Sequence, residues 1–366
     1  NYWVQNHAGR DDYSRIADMG RAFDSSAANL KSETDAVLDI DNWMRVLAYQ
    51  ALTGTADTYN NGLAHNLLFY VRPDTGRKVM IFPWDVDHAF YDSPTQSIYG
   101  RASHRASDVV DIAQNNRSYC GHLLHLCNTG FNPSYIAEWV SHYNQVAELP
   151  IAGHYTQWIT DRRNHVLARL NSEHPPVEFH ITTNGGNDFS VATPAAQIRG
   201  DGWIDVRDIV LARSGEPLSV TWLDANTWQV AVPLLSGENL ISLSATDHDG
   251  KEVGSDTITV TNTGSIEPAS AGNLVISEIM YHPADPGAAE IAAGFSDADE
   301  FEFIELRNIG SRTIELGGAA FSNGIPYTFP NTQLLPGAAT LLVRNQAAFD
   351  LRYGPGAAVA GEYGDP

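Results

Sequence analysis

Lysine is nearly missing from this chain: Lys31, Lys78 and Lys251 are its three copies in 366 residues. Positive charge is scarce throughout, with 22 Lys and Arg against 44 Asp and Glu, a formal net charge of −22. No basic patch can form from so few cations, so nucleic acid is not an expected partner. The deficit is uneven. Residues 1–176 carry a net charge of −5, residues 177–268 of −9 and residues 269–366 of −8. Acidic, lysine-poor β modules are common outside the cell, though they fit any solvated surface. No apolar run reaches the roughly 18 residues that a membrane-spanning helix needs. Cysteine is limited to Cys120 and Cys127. On one helix, Ser118–Asn128, their spacing of seven places them about 10 Å apart, too far for a disulfide. Both are expected as buried free thiols. No secretory leader is visible and the first residue is Asn1, so the sequence reads as a fragment or a processed form.

What the chain does have is concentrated between Gly54 and Phe90. Two strand-like runs, Asn66–Arg72 and Lys78–Pro83, flank Pro73-Asp74-Thr75-Gly76, a turn composition. A β-hairpin follows. Asp57, His65 and Asn66 precede its first strand, and Trp84-Asp85-Val86-Asp87 follows its second. A hairpin returns its chain to the starting edge, so three carboxylates and one carboxamide are expected to meet there. Hard oxygen donors of this kind suit Mg²⁺ or Mn²⁺. A carboxylate not used as a ligand can orient a hydroxyl or accept its proton, and phosphoryl transfer uses both parts. The competing structural reading has Asp57 and Asn66 shaping a loop and Asp85 and Asp87 capping a turn.

The segments NWMRVLAYQALTGTADTYNNGLAHNLLFY and FPWDVDHAF resemble the spore-coat protein H (CotH) kinase family: a helix, a Gly54…Asp57 turn, His65-Asn66, a hairpin and Pro83-Trp84-Asp85-Val86-Asp87. The resemblance covers roughly the first half of the chain. It implies a divergent protein-kinase-like fold, secretion or envelope association, ATP as co-substrate and a protein hydroxyl as acceptor. It also implies roles. Asp57 stands at the catalytic-loop carboxylate, Asn66 and Asp85 at metal-holding positions, and Asp87 is a second acid of the same motif. One departure stands out. Kinases place the Asn five residues after the Asp, whereas Asn66 follows Asp57 by nine. Either Tyr59-Asn60-Asn61-Gly62 bulges, or the role passes to Asn60 or Asn61.

Around this stretch the sequence predicts a helix from about Asp11 to Leu30 and a second over 39–52. The second is capped by Asp39 or Asp41, buries Trp43, Val46, Leu47 and Ala51, and stops at Gly54. Tyr91 to Asn116 reads as a long polar loop, with Arg101, His104 and Arg105 beside His88 as candidate phosphate contacts or plain surface groups. Helices are expected over 117–128, 133–148 and 150–171, with Pro133 and Pro150 in first turns. His122 and His125 share a face, and a satisfied pair is the expected reading over metal ligation. None of the three lysines is assignable to a nucleotide-clamping role, so residues 1–176 read as a kinase-like C-terminal lobe without its N-terminal partner.

His174-Pro175-Pro176 marks a boundary. Residues 177–262 switch to period-two patterning, an immunoglobulin-like β-sandwich with strands over Val177–Thr182, around Val191, then Gln197–Gly200, Trp203–Val206, Val220–Leu223, Trp228–Val232, Asn239–Ala245 and Asp256–Thr261. Asp247, Asp249 and Asp256 offer oxygens for Ca²⁺, or form plain turns. Residues 263–272 are a small-residue linker. Ile276–Ile279, Phe303–Asn308 and Leu335-Pro336-Gly337 then resemble the lamin-tail domain, a second sandwich over 273–366 that stops before its usual last strands. Its strand acids, Glu278 and Glu305, are expected in ladder pairing. The fold class is therefore multidomain: an α+β kinase-like C-terminal lobe followed by two all-β immunoglobulin-like sandwiches. The functional expectation is a CotH-type protein kinase. The alternative is a catalytically inactive cell-surface adhesion or binding protein whose sandwiches hold a surface or polysaccharide partner.

Overall fold

The structure, a computed structural model, describes residues 12–61, 63, 65–73, 76–100, 105–148, 152–212, 215, 217–235, 237–264 and 266–364. Helices dominate the N-terminal part and β-sheets the rest. By packing, the chain falls into two units, residues 1–183, 199–230 and 242–256 in one and 184–198, 231–241 and 257–366 in the other.

Helices α1 (Ser14–Phe23), α2 (Leu30–Val37) and α3 (Ile40–Thr53) open the first unit. The Asp39 carboxylate accepts the Asn42 N–H at 3.2 Å and caps α3. Gly54 ends it in the left-handed region at φ 61°, where glycine carries no Cβ penalty. A Cβ there would also lie 2.9 Å from the Trp158 ring. Trp43, Met44, Leu47, Ala48 and Leu52 are each at most 1% exposed, and burial covers α3 except for the stripe Asp41, Arg45 and Tyr49. A helix buried over most of its circumference belongs in a core.

That buried helix holds the hairpin. Strands β1 (Leu67–Val71) and β2 (Val79–Pro83) pair antiparallel with Leu67 opposite Pro83 and Val71 opposite Val79. Val79 and Ile81 point inward at 0% exposure, while Phe82 and Tyr70 face out. Two α3 side chains grip the β2 backbone: Trp43 Nε1 donates to the Val79 carbonyl at 2.9 Å, and Asn42 Oδ1 accepts from Ile81 N at 2.7 Å. The expected turn residues Asp74 and Thr75 lie outside the described residues.

Helices α4 (Arg105–Val110), α5 (Ala113–Asn128), α6 (Pro133–Ala147) and α7 (Ala152–Glu173) complete the helical part. Pro133 occupies the first turn of α6 as expected; Pro150 lies outside the described residues. Cys120 and Cys127 are buried free thiols, and burial pushes both up to about 12.

Three expectations fail in the first unit. The single helix over 11–30 breaks at Asp24–Asn29, where the Ser25 hydroxyl bonds the Ala22 carbonyl and Leu30 N turns back to Ser26 O; short polar side chains compete with the helix for its own backbone. The polar loop over 91–116 contains α4 and the first turn of α5, because Ala106, Val109 and Val110 form a small buried stripe amid polar residues. Trp203–Val206 is a turn rather than a strand. Its apolar residues serve packing: Ile204 is fully buried, Trp203 Nε1 donates to His174 O, and Arg117 on α5 donates to the Trp203 and Val206 carbonyls.

The middle segment contributes β3 (His180–Ile181), β4 (Phe189–Val191), β5 (Ala195–Asp201), β6 (Asp208–Leu211), β7 (Thr221–Trp222), β8 (Thr227–Pro233), β9 (Gly237–Thr246) and β10 (Glu252–Asn262), in sheets ordered β3-β5-β8-β7 and β4-β10-β9-β6. Trp228, Val230 and Val232 alternate inward on β8. The unit boundary crosses β5, β8, β9 and β10.

The last part carries β11 (Ile266–Pro268), β12 (Leu274–Met280), helix α8 (Ala288–Ala292), β13 (Phe303–Asn308), β14 (Thr313–Glu315), β15 (Ala320–Phe321), β16 (Tyr327–Thr328), β17 (Gln333–Leu334), β18 (Ala339–Val343), helix α9 (Gln346–Tyr353) and β19 (Val359–Glu362). Its main sheet runs β12-β13-β18-β19 and its second β11-β14-β17. Part of the expected linker is thus the strand β11, paired with β14.

Within the first unit, one ring nitrogen of His122 has a partner distant in sequence, while its Nδ1 is buried without one. Its Nε2 lies 2.8 Å from Asp41 Oδ1, and Arg207 also bonds Asp41. The His248 ring packs 4.6 Å from that of His122 and 5.1 Å from that of His125, with Asp249 3.8 Å from His125. Burial, reinforced by His122, Arg207 and His125 against a weaker opposing pull from Asp41, pushes His248 down to about 3. Burial raises the Asp41 carboxyl, but His122 and Arg207 outweigh it and hold it well below the usual range. An unfolded histidine titrates near 6.5. Between those values the unfolded chain binds the extra proton, so stability present above about 6.5 is lost as pH falls toward 3. We expect acidification from pH 7 to 4.5 to cost the wild type on the order of 1–2 kcal/mol more than it costs His248→Phe, after allowing for solvent screening. Urea unfolding at the two pH values measures the difference, and parallel profiles would refute the assignment.

Candidate active site

The end of α3 delivers Thr55, Ala56 and Asp57. Thr53 and Thr55 hydroxyls bond each other at 2.8 Å, and Asn61 Nδ2 donates to Thr55 O at 2.6 Å. The residues extra to the kinase spacing are taken up by a 3-10 turn at Tyr59–Asn61. Asn66 then reaches back across the loop. Its Nδ2 donates to the Asp57 carbonyl at 3.0 Å and to Asp57 Oδ2 at 3.1 Å.

The other side of the site comes from the chain leaving β2. Trp84 N donates to Asn66 O at 3.2 Å, closing the hairpin base. Asn66 and Asp85 both adopt the left-handed region, at φ 60° and 50°, which Asn and Asp tolerate better than other side chains. After Asp85 the chain folds back onto α3. Ala56 N donates to His88 O at 3.3 Å, and Phe90 N to Thr53 O at 2.8 Å.

The result is a group of three potential ligand atoms, one each from Asp57, Asp87 and His88, all within 4.8 Å of one another. Among the described residues it is the only such group of three or more His, Cys, Asp or Glu. Asp57 is half-buried, and its Oδ1 is inaccessible to solvent without a hydrogen-bond partner. Asp87 and His88 are exposed. No Lys or Arg among the described residues pairs with Asp57 or Asp87. Two nearby carboxylates without a countercharge repel each other, and a divalent cation relieves that repulsion. The orphaned Asp57 oxygen and the donor set fit such an ion, with oxygens from Asp57 and Asp87 and a nitrogen from His88.

Of the residues singled out in the sequence, the structure therefore joins Asp57, Asn66 and Asp87. Asp85 stands outside the three-residue group, and His65 is exposed. Asn61 is tied to Thr55, while Asn66 is the amide bonded to Asp57. His88 was missed as a ligand candidate; its only sequence signal was adjacency to Asp87. Arg105 pairs with Asp108, and Arg101 and His104 lie outside the described residues. Lys31 pairs with the Asp35 carboxylate and Lys78 with the Asp35 carbonyl. A cavity of about 680 Å³ is lined by Tyr13, Ile16, Met19, Phe23, Tyr59 and Arg105, and none of the clustered ligand residues faces it.

The other acidic motifs are engaged locally. Asp247 Oδ1 accepts from Asp249 N and Lys251 N, a turn contact, and Asp256 Oδ2 accepts from Ile181 N at 2.7 Å. Glu278 faces Glu305 in the β12–β13 ladder. Hydrogen bonds from Ser277 and then Arg307 hold Glu305 below its ordinary value.

Residues 1–160 match the family model described as CotH kinase protein, and residues 267–364 match that of the Lamin Tail Domain. No curated protein matches the chain. Among solved structures, CopC from Methylosinus trichosporium OB3b is 15% identical over 24% of this chain and 96% of its own, with a TM-score of 0.16. The Bacteroides ovatus mixed-linkage glucan utilization locus protein SGBP-B, solved with a mixed-linkage heptasaccharide, is 12% identical over 50% of this chain and 49% of its own, at 0.17. A Porphyromonas gingivalis W83 protein of unknown function is 17% identical over 46% of this chain and 79% of its own, at 0.13. Scores this low carry no weight for fold or function.

Proposed function

We propose that this chain, which carries a CotH kinase segment followed by a lamin tail domain, transfers phosphate from ATP to a protein hydroxyl with a divalent metal ion, outside the cytoplasm. The observation that carries this reading is the convergence of Asp57, Asp87 and His88 within 4.8 Å, with Asn66 bonded to Asp57. In this reading Asp57 orients the acceptor hydroxyl and takes up its proton. Asn66 fixes the carboxylate for that task. Asp87 presents an oxygen that holds the ion, with the unpartnered Asp57 Oδ1 beside it. When bound, the ion neutralises phosphate charge. The lamin tail domain supplies a β surface for a cell-surface or polysaccharide partner.

The test is transfer of radiolabelled phosphate from ATP to mixed envelope proteins, with Mg²⁺ or Mn²⁺ and with a chelator, for wild type and Asp87→Asn. We expect labelling that needs the metal and falls at least about a hundredfold in the variant. Equal labelling by both proteins would remove the enzymatic reading and leave the chain a binding protein.

A further inference from the structure

We propose that His88 is a ligand of the divalent ion, so that the site takes a manganese- or zinc-class ion in preference to magnesium. This rests on the cation reading of the Asp57–Asp87 pair and specifies what that ion is. Three observations converge on the imidazole. First, its backbone is fixed to the same loop as Asp57: the His88 carbonyl accepts from Ala56 N, and the flanking residues are held by Ala89 N to Val86 O at 3.0 Å and Phe90 N to Thr53 O at 2.8 Å. Second, its ring nitrogens have no other employment among the described residues. His88 makes no side-chain hydrogen bond or ion pair there, and its one ring contact is with Tyr91, at 5.6 Å between centroids. It is therefore not a countercharge locked against either carboxylate. Third, the three candidate atoms lie within 4.8 Å of one another, somewhat wider than the roughly 3 to 4.2 Å separations around an ion with bonds of about 2.1 Å, so small side-chain rotations bring them onto one centre.

The ligand type then sets the metal. Magnesium demands hard oxygens and keeps most of its water. An imidazole nitrogen favours borderline ions, and affinity at mixed nitrogen and oxygen sites rises from Mn²⁺ along the first transition row. Two carboxylates keep enough hard character for Mn²⁺. A site with oxygen alone in place of His88 would lack the preference.

The experiment measures metal binding by the full chain without nucleotide. Isothermal titration with Mn²⁺, Zn²⁺ and Mg²⁺ is run on wild type, His88→Ala, His88→Gln and Asp87→Asn, and pulsed electron paramagnetic resonance of bound Mn²⁺ reads any coupled imidazole nitrogen. We expect Mn²⁺ to bind wild type at least about tenfold tighter than Mg²⁺. His88→Ala and His88→Gln are each expected to weaken Mn²⁺ and Zn²⁺ at least about tenfold, to change Mg²⁺ less than about threefold, and to erase the nitrogen coupling. If Asp87→Asn abolishes binding while the His88 variants keep wild-type Mn²⁺ affinity and spectrum, the imidazole is not a ligand and the cation reading survives alone. If wild type binds none of the three ions, both fall.

Discussion

Replacing Asp57 by Asn is expected to cut the proposed phosphate transfer on the order of a thousandfold and to leave the chain folded. The size follows from what the carboxylate does in the proposed reaction. Losing a positioned general base typically costs about 10² to 10⁴ in rate, and the same substitution removes one of the two charges facing the metal. The fold is spared because the change is nearly isosteric. Asn66 Nδ2 donates to both the Asp57 carbonyl and Oδ2, and the amide oxygen of the variant can accept the second bond. A further consequence separates this from a merely structural aspartate. In metal-free buffer the variant no longer sets two unpaired carboxylates against each other, so it is expected to unfold at the same temperature as wild type or higher. Adding Mn²⁺ is expected to stabilise wild type by RT ln(1 + [L]/Kd), about 2.7 kcal/mol at a hundredfold excess over Kd, and to leave the variant largely unmoved. Thermal unfolding with and without Mn²⁺, beside the labelling assay, checks both. A variant that keeps activity, or that gains the full metal stabilisation, would show that Asp57 only shapes its loop.

The parts of this site legible in the sequence were those fixed by local chemistry. Asp39 as the cap of α3, Gly54 as its stop and the alternating hairpin are each decided within a few residues, and each stands where local rules put it. Which acid of Trp84-Asp85-Val86-Asp87 meets Asp57 was not legible. It depends on the left-handed backbone at Asp85 and on the bonds that pull His88 and Phe90 onto the end of α3, none of which leaves a periodic trace. The same holds for His122, whose carboxylate partner is 81 residues away, and for Trp203–Val206, whose strand-like composition serves a packed turn. Sequence period reports which residues are apolar; it does not report which surface they meet.

Arg162→Met is expected to cost on the order of 3–5 kcal/mol and to weaken metal binding without touching a ligand. Arg162 on α7 is fully buried at 0% exposure. Its guanidinium donates to Pro94 O at 3.2 Å, Gln96 O at 2.6 Å, Ser97 O at 3.0 Å and Ala51 O at 2.8 Å. Burial pulls it down to about 10, which still leaves it charged at neutral pH. The Ala51 carbonyl belongs to the last turn of α3, where backbone acceptors run out of helical partners and a cation meets the negative end of the helix dipole. The other three carbonyls fix the strand-less segment that follows Asp87 and His88, which Trp158 also holds by donating from Nε1 to Asp92 O at 2.8 Å. Methionine fills similar volume but donates nothing, so one buried and three part-buried carbonyls lose a donor, at a cost of about 1–3 kcal/mol for each left unpaired, in part offset by relaxation and by the Gly54 N–H that Ala51 O also accepts. Loosening the segment frees the backbone that presents Asp87 and His88. Arg162→Lys keeps the charge with fewer donors in a different geometry, so it is expected to recover part of the stability and part of the Mn²⁺ affinity. Urea midpoints and Mn²⁺ titrations on the two variants check this together: stability lost with metal affinity unchanged would confine Arg162 to the core and cut its link to the site.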